Sequence, residues 1–225
     1  MCGRFALFAM PVEVGDQFGA PAPPELPPCY NVAPTQAVLA CRADPTSGAR
    51  ELLALRWGLI PSWAHDLAAG VKAINARAET VADKPTFRAA FKGRRCLVPA
   101  SGYYEWKGAG KAKQPYFIHP PHGLFAFAGL WDVWQKGAAP VESCSIITTT
   151  ANEATRHLHE RMPVLLAPSH FAAWLDPLTP PTALHELLKP CPADRIATHP
   201  VAPLVGNIRN DGPELAAPAA DLFTA

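Results

Sequence analysis

Proline sets the first limit on what this chain can become. It supplies 26 of the 225 residues, near 12%, against about 5% in an ordinary globular protein. A proline ring fixes φ and removes an N–H donor, so it breaks helix interiors and central strands. Long helices are therefore excluded, and short helices with many turns are expected. Apolar residues make up 49% of the chain, enough for a real core, so disorder is not the main state. No internal repeat is visible. The stretch PAPPELPP (21–28) is too short to divide two units. The expectation is one domain over 1–225, with a core over about 1–213 and a loosely held, Ala-rich tail over 214–225.

Strand-like stretches are Ala37–Cys41, Arg95–Val98, Tyr116–His119, Leu124–Trp134 and Ser143–Thr150. They carry β-branched and aromatic residues and are bounded by Pro, Gly or Asn. The polar KAKQ before Tyr116 suits a turn. Helix signals are fewer. KPTFRAAFKG (84–93) has Pro85 near its start, Phe87 and Phe91 at i, i+4, and Gly93 as a stop. SHFAAWLD (169–176) begins with a capping-type Ser and stops before Pro177. PTALHELLK (181–189) sets Leu184, Leu187 and Leu188 on one face. The fold class read from this is α+β: one β-rich domain with short peripheral helices.

The six cysteines form no C-x-x-C pair and no zinc spacing with histidine. No secretory-type leader is read before them, and no apolar run reaches about 18 residues. Free thiols in a reducing cytoplasm are expected, with no membrane, metal or cofactor. The net charge of +1 is uninformative, but its distribution is not. Lys72 to Lys113 holds ten basic and three acidic residues, a surplus of +7, while the remainder of the chain stands at −6. Such polarisation fits either an anionic partner or a solvated face.

Four stretches look chemical. A cysteine at position two, in MCGRF, has little core to join in sequence terms. Once Met1 is clipped it would carry an α-amine and a thiol on adjacent carbons, with ordinary pKa values of about 7.7–8.0 and about 8.5. A terminal amine can act as base for its own side chain, and a 1,2-aminothiol condenses with an aldehyde to a five-membered thiazolidine. In INARAET (74–80), an extended backbone puts Asn75 and Arg77 on one side, where an amide and a guanidinium suit a carbonyl or phosphate oxygen. In CLVPASGYYEW (96–106), a strand runs into Pro99 and a Ser-Gly turn. Glu105 then stands among aromatic rings, a poorly solvated setting that suits acid–base work. In HLHERMP (157–163), no carboxylate or cysteine completes a metal spacing with His157 and His159; such a pair is more often structural or solvent-facing, and a general acid or base role for one of them stays open. HPPH (119–122) reads as a turn.

Together these stretches resemble the SRAP family, the SOS response-associated peptidases, also called abasic-site processing proteins. The matching blocks are MCGRFA, YNVAPTQ, RWGLIPSWA, INARAET, RRCLVPASGYYEW, AGLWD, TTTAN, HERMPVLL and VGNIRNDGPEL, in family order and over almost the whole chain. The resemblance implies a β-rich fold with a groove for single-stranded DNA. It implies removal of Met1 and a covalent thiazolidine between Cys2 and the aldehyde of an abasic site, shielding the lesion. Cys2 would be the nucleophile, Asn75 would position the N-terminus and sugar, Glu105 would assist proton transfer, and the family histidine falls on His159. Arg4, Pro34, Trp63, Arg77 and Arg161 would contact the strand, with an apolar wedge replacing lost stacking. Lyase-type and thiol autopeptidase activities, a monomeric state and association with the nucleoid during damage belong to the same expectation. One departure is Ala64, where some members carry a second aromatic.

Two other readings stay open at this point. One is an N-terminal cysteine amidohydrolase, whose chains also begin Met-Cys-Gly but continue with Ile and further Asn-Gly motifs absent here. The other is a non-covalent single-strand binding module.

Overall fold

The computed structural model describes residues 2–23, 25–108 and 113–219. Twelve strands run in chain order: β1 (Phe5–Leu7), β2 (Cys29–Val32), β3 (Ala37–Ala43), β4 (Arg50–Trp57), β5 (Asn75–Arg77), β6 (Arg95–Ala100), β7 (Gly102–Lys107), β8 (Gln114–His119), β9 (Phe125–Trp134), β10 (Val141–Thr150), β11 (Arg161–Pro163) and β12 (Ala197–Pro200). Four short α-helices lie among them in the described residues: α1 (Pro11–Phe18), α2 (Arg88–Gly93), α3 (Phe171–Leu175) and α4 (Pro181–Glu186). None exceeds eight residues, as the proline content requires. The fold is α+β and β-rich.

Two sheets result. One is five-stranded, in the order β12-β8-β7-β1-β2. In the other, β10 pairs β4, then β3, β6 and β9 follow, and β9 pairs β10 again. The ladder thus closes on itself as a five-stranded barrel, with β5 and β11 added on β10. Val38 and Ala40, Leu55 and Trp57, Cys96 and Val98, Phe127 and Trp131, and Cys144 and Ile146 gather in one buried cluster. These are alternate residues from all five barrel strands, as the inside of a closed sheet demands. Cys2, Phe5, Tyr103 and Ile118 join this cluster from the five-stranded sheet. Phe5 meets Trp57 edge-on at 5.1 Å and Phe127 at 5.8 Å. The helices cover a second cluster outside the barrel, where Phe18, Phe91 and Trp174 lie over Leu97, Leu130 and Ile147.

Several expectations shift in detail. Strand β6 runs through Pro99 instead of ending there. Pro99 pairs Ala126 on β9, while the recorded pairing with β3 is confined to Cys41 and Leu97, so its missing donor falls beyond that ladder. Ser169 caps nothing, because the short turn before α3 is entered at Ala167 with no side-chain cap. Of KAKQ, residues 111–112 lie outside the described residues and Gln114 is already in β8. The tail after Pro213 is packed as far as it is described. Leu215 is fully buried beside Val201 and Val205, and the Ala219 N–H donates to Pro200 O at 2.8 Å. All six cysteines are free thiols. Among the described residues no helix is long and apolar enough to cross a membrane, and no group of three or more metal-ligating side chains occurs.

Candidate active site

The register of β1 explains why residue 2 reaches the middle of the protein. Phe5 pairs Tyr103 and Ala6 pairs Gly102, and the Tyr104 N–H donates to Arg4 O at 3.0 Å. Continuing that antiparallel register sets Gly3 opposite Glu105, one residue from Cys2. Side chains alternate along β7, so Tyr103 and Glu105 share the face toward Cys2. Tyr104 and Trp106 turn to the cluster on the other side of the sheet.

Cys2 is fully buried. Burial, then the neighbouring Glu105 carboxylate, push its thiol well above the ordinary value; a hydrogen bond from the Arg4 backbone pulls it back in part. At neutral pH the group is a thiol and not a thiolate, so it is not a pre-activated nucleophile. The Asn75 side-chain amide donates to the Cys2 carbonyl at 2.7 Å. Asn75 Oδ1 is also buried and has no protein partner among the described residues, an acceptor left open in a place where acceptors are normally filled. Glu105 is 6% exposed.

Asn75 opens β5, which lies parallel on β10 with Ile146 opposite Asn75 and Thr148 opposite Arg77. Ala76 is buried between them and Arg77 is exposed. His159 is delivered by the loop between β10 and β11. There Asn152 Oδ1 accepts from the Ala154 N–H and the Thr155 hydroxyl, and its amide donates to Cys191 O at 2.9 Å. His159 Nδ1 accepts from the Arg161 backbone N–H at 2.9 Å. The same Nδ1 lies 3.3 Å from the Arg161 carbonyl oxygen. His157 is exposed and meets the ring of Tyr116 edge-on.

The other sequence-assigned residues fall around this centre in different states. Arg4 is held: its NH1 donates to Asn31 Oδ1 and to Val205 O, both at 2.8 Å, and burial lowers its pKa. Asn31 in turn binds the carbonyls of Asn207 and Asn210, which ties the YNVAPTQ block to VGNIRNDG. Pro34 stands in a tight turn beside Thr35, a β-branched residue at φ +74°. That conformation is an outlier of the kind that concentrates at binding sites, and it is fixed by Thr35 N to Trp57 O at 2.8 Å and Ala33 N to Gln36 Oε1 at 2.8 Å.

Trp63 is 56% exposed, yet its turn is pinned on all sides. Ser62 N donates to Asp132, Ile60 N to Ser143, the Trp134 indole to Ala64 O, and Lys136 to Trp63 O. A rigid turn presenting a large bare aromatic is the geometry of a contact surface, not of a core. Ala64 is buried against Ile60 and Trp134, so position 64 faces inward here. The basic surplus of the central segment is thinner in space than in sequence. Arg95 is buried with its guanidinium spent on four carbonyls, and Arg94 pairs with Asp132.

With this geometry in hand, comparison with known proteins decides the family. The family model for SOS response associated peptidases matches residues 1–208. The chain belongs to the SRAP family. This SRAP protein is 44% identical over 222 residues to the abasic site processing protein YoaM of Bacillus subtilis, covering 96% of this chain and 97% of that one. It is 36% identical over 224 residues to the abasic site processing protein HMCES of Gallus gallus, covering 85% of this chain and 66% of that one. Among solved structures, a protein from Bacteroides thetaiotaomicron superposes with a TM-score of 0.86 at 26% identity, over 97% of this chain and all of that one.

One residue of this candidate site is not named by the sequence pattern. Tyr103 is fully buried, and burial, then Cys2 and Glu105, hold its phenol well above the ordinary value. The signal was the two-residue spacing to Glu105, which puts both on one face of a strand. Two concavities lie elsewhere. One of about 820 Å³ runs from the β8–β9 turn to Cys191, and Cys2, Asn75, Glu105 and His159 are not among its lining residues.

Proposed function

We propose that this protein processes abasic sites in single-stranded DNA by closing a thiazolidine between Cys2 and the ring-opened deoxyribose. The observation that carries the reading is the Asn75–Cys2 hydrogen bond of 2.7 Å, set in a buried assembly with Glu105 and Tyr103 around the second residue of the chain. The names of the relatives support the choice of lesion.

Hydrolysis of the Met1–Cys2 peptide bond consumes one water and frees the Cys2 α-amine, either through Cys2 itself or through an aminopeptidase. Met1 lies outside the described residues. The amine attacks C1′ of the open aldehyde, and the carbinolamine loses water to give the imine, with His159 or Glu105 moving the protons. Cys2 Sγ then adds to the imine carbon. The S–C bond forms, the C=N π electrons pass to nitrogen, and the thiol proton ends on that nitrogen by way of Glu105. One water is lost overall in the condensation and no redox partner is needed.

A thiol held protonated by burial supports this order, with the amine acting first and sulfur closing last. Asn75 Oδ1 accepts from the freed amine and orients it. Running the last step backward releases the strand. Closure by sulfur outpaces β-elimination at the imine stage, which would otherwise cut the DNA. Arg4, Arg77 and Arg161 attract phosphates, and Trp63 and Pro34 fill space beside the missing base.

The test is an intact mass after incubation with an abasic single strand. The expected species is the chain without Met1, plus the strand, minus one water, and stable to heat. Cys2→Ala retains an amine and gives only an adduct that borohydride must trap. Absence of any wild-type adduct, or a heat-stable unreduced adduct with Cys2→Ala, overturns the proposal.

A further inference from the structure

Arg161 is already occupied by an anion of its own chain. Its NH1 donates to Glu79 Oε1 at 2.6 Å and its NH2 to Glu79 Oε2 at 2.9 Å. This is the two-pronged arrangement by which a guanidinium also grips a phosphate. NH2 makes a further bond to Thr148 O at 2.6 Å. The side chain of Glu79 is 48% exposed and that of Arg161 only 12%, so the carboxylate covers the guanidinium from the solvent side. Arg77 bears on the same carboxylate from the neighbouring strand, since Thr148 pairs Arg77 on one side of β10 and Pro163 of β11 on the other.

The two partners are anchored differently. Glu79 sits in the turn after β5, whose backbone is fixed by Ala78 N to Thr148 O at 2.9 Å and Thr80 N to Arg77 O at 3.1 Å. Its side chain can rotate into solvent without moving a strand. Arg161 stays aimed when Glu79 leaves, because Thr148 O and the β10–β11 pairing still hold it.

We propose that Glu79 is an internal stand-in for a DNA phosphate, holding the Arg161 fork until a phosphate of the strand displaces it. The inference rests on the DNA-binding reading given above. Binding then exchanges one ion pair for another. A strand must supply an anion at this position to take Arg161, and affinity for stray anionic ligands is held down.

The experiment measures fluorescence anisotropy with an intact single strand, free of lesions, so that no covalent step intervenes. Wild type, Glu79→Gln, Arg161→Gln and the double variant are compared at one salt concentration, with a thermal melt of each. Glu79→Gln is expected to bind about two- to fivefold more tightly, the scale of a partly exposed ion pair. Arg161→Gln is expected to bind more weakly, and the double variant should match it, because the gain needs the Arg161 fork. Should Glu79→Gln fold poorly, Glu79→Asp serves. It keeps the charge but is too short to span both prongs, and tighter binding is again expected.

Equal or weaker binding by the Glu79 variants overturns the proposal, since Glu79 then orients Arg161 instead of competing for it. A gain that persists without Arg161 overturns it as well, as a general charge effect. If wild type itself binds no strand, the DNA reading fails and the proposal falls with it, a result distinct from failure in the variant arms alone.

Discussion

The side-chain amide of Asn75 donates to the main-chain carbonyl of Cys2 at 2.7 Å, across 73 residues of sequence. The bond fixes the second residue by its backbone carbonyl, not through its thiol. Asn75→Ala removes both this donor and the buried Oδ1 acceptor. Asn75→Asp turns a carboxylate oxygen toward a carbonyl oxygen. A positioned hydrogen bond is worth about 0.5–1.5 kcal/mol, so adduct formation on an abasic strand is expected to slow about two- to twelvefold in the alanine variant, and further in the aspartate. Single-turnover rates on denaturing gels, with a thermal melt alongside, check this; a loss of melting temperature without a loss of rate would assign Asn75 to structure alone.

Trp63 separates contact from stability. Its ring is largely bare while its turn is held by its neighbours' backbone and by Asp132, Ser143 and Trp134. Trp63→Ala is therefore expected to change unfolding free energy by less than about 0.5 kcal/mol. The same change should weaken single-strand binding by about 1–3 kcal/mol, the range for one aromatic–base stack. Chemical denaturation and anisotropy titration of one preparation give both numbers.

Arg95 makes the opposite case. It donates to the carbonyls of Phe91, Lys92, Trp174 and Asp176, and so closes the C-terminal ends of α2 and α3, whose last carbonyls have no helical partner. Arg95→Met fills similar space and orphans four acceptors. Destabilisation of about 3–5 kcal/mol is expected, measurable by urea unfolding.

Buried thiols make the fold sensitive to alkali. Burial raises Cys41 and Cys191 to about 11 and Cys144 to about 12, and raises Cys2 and Cys96 also. In the unfolded chain such thiols titrate near 8.5. Above that pH the unfolded form sheds protons that the native form keeps, so stability is full below about pH 8.5 and falls as pH rises toward the folded values. Each fully retained thiol adds up to about 1.4 kcal/mol per pH unit to the slope. Unfolding free energy measured from pH 7 to pH 10.5 should be level at first and then fall. Cys144→Ala should fall less steeply.

The long apolar strands β3, β6, β8, β9 and β10 were legible because β-branched and aromatic runs bounded by turn residues leave little choice. Strands of three or four residues, such as β1, β5 and β11, are too short to show a period and exist because the register of a neighbour holds them. β4 reads RELLALRW, good helix-forming residues, and is a strand because the barrel closes only with a strand between β3 and β10. Helix α1 was readable and passed over. Pro11 stands at its first turn, Val14 and Phe18 are buried four apart, and Gly19 ends it at φ +64°. Around the site, pattern alone left Cys2, Asn75, Glu105 and His159 each open between a chemical and an ordinary role, and the resemblance chose between them. The Glu79–Arg161 pair spans 82 residues, a distance no local pattern crosses.

Arg4 is latched by the carbonyl of Val205, 201 residues downstream, and Asn31 by those of Asn207 and Asn210. A ribosome adding 5–20 residues per second needs roughly 10–40 s to cover that interval. Arg4 therefore waits that long for the carbonyl that latches its side chain. A nascent chain makes Asn75 and Glu105, the neighbours of Cys2, well before the carbonyls of Val205, Asn207 and Asn210 that hold Arg4 and Asn31, so this latch closes after the rest of the surroundings are in hand.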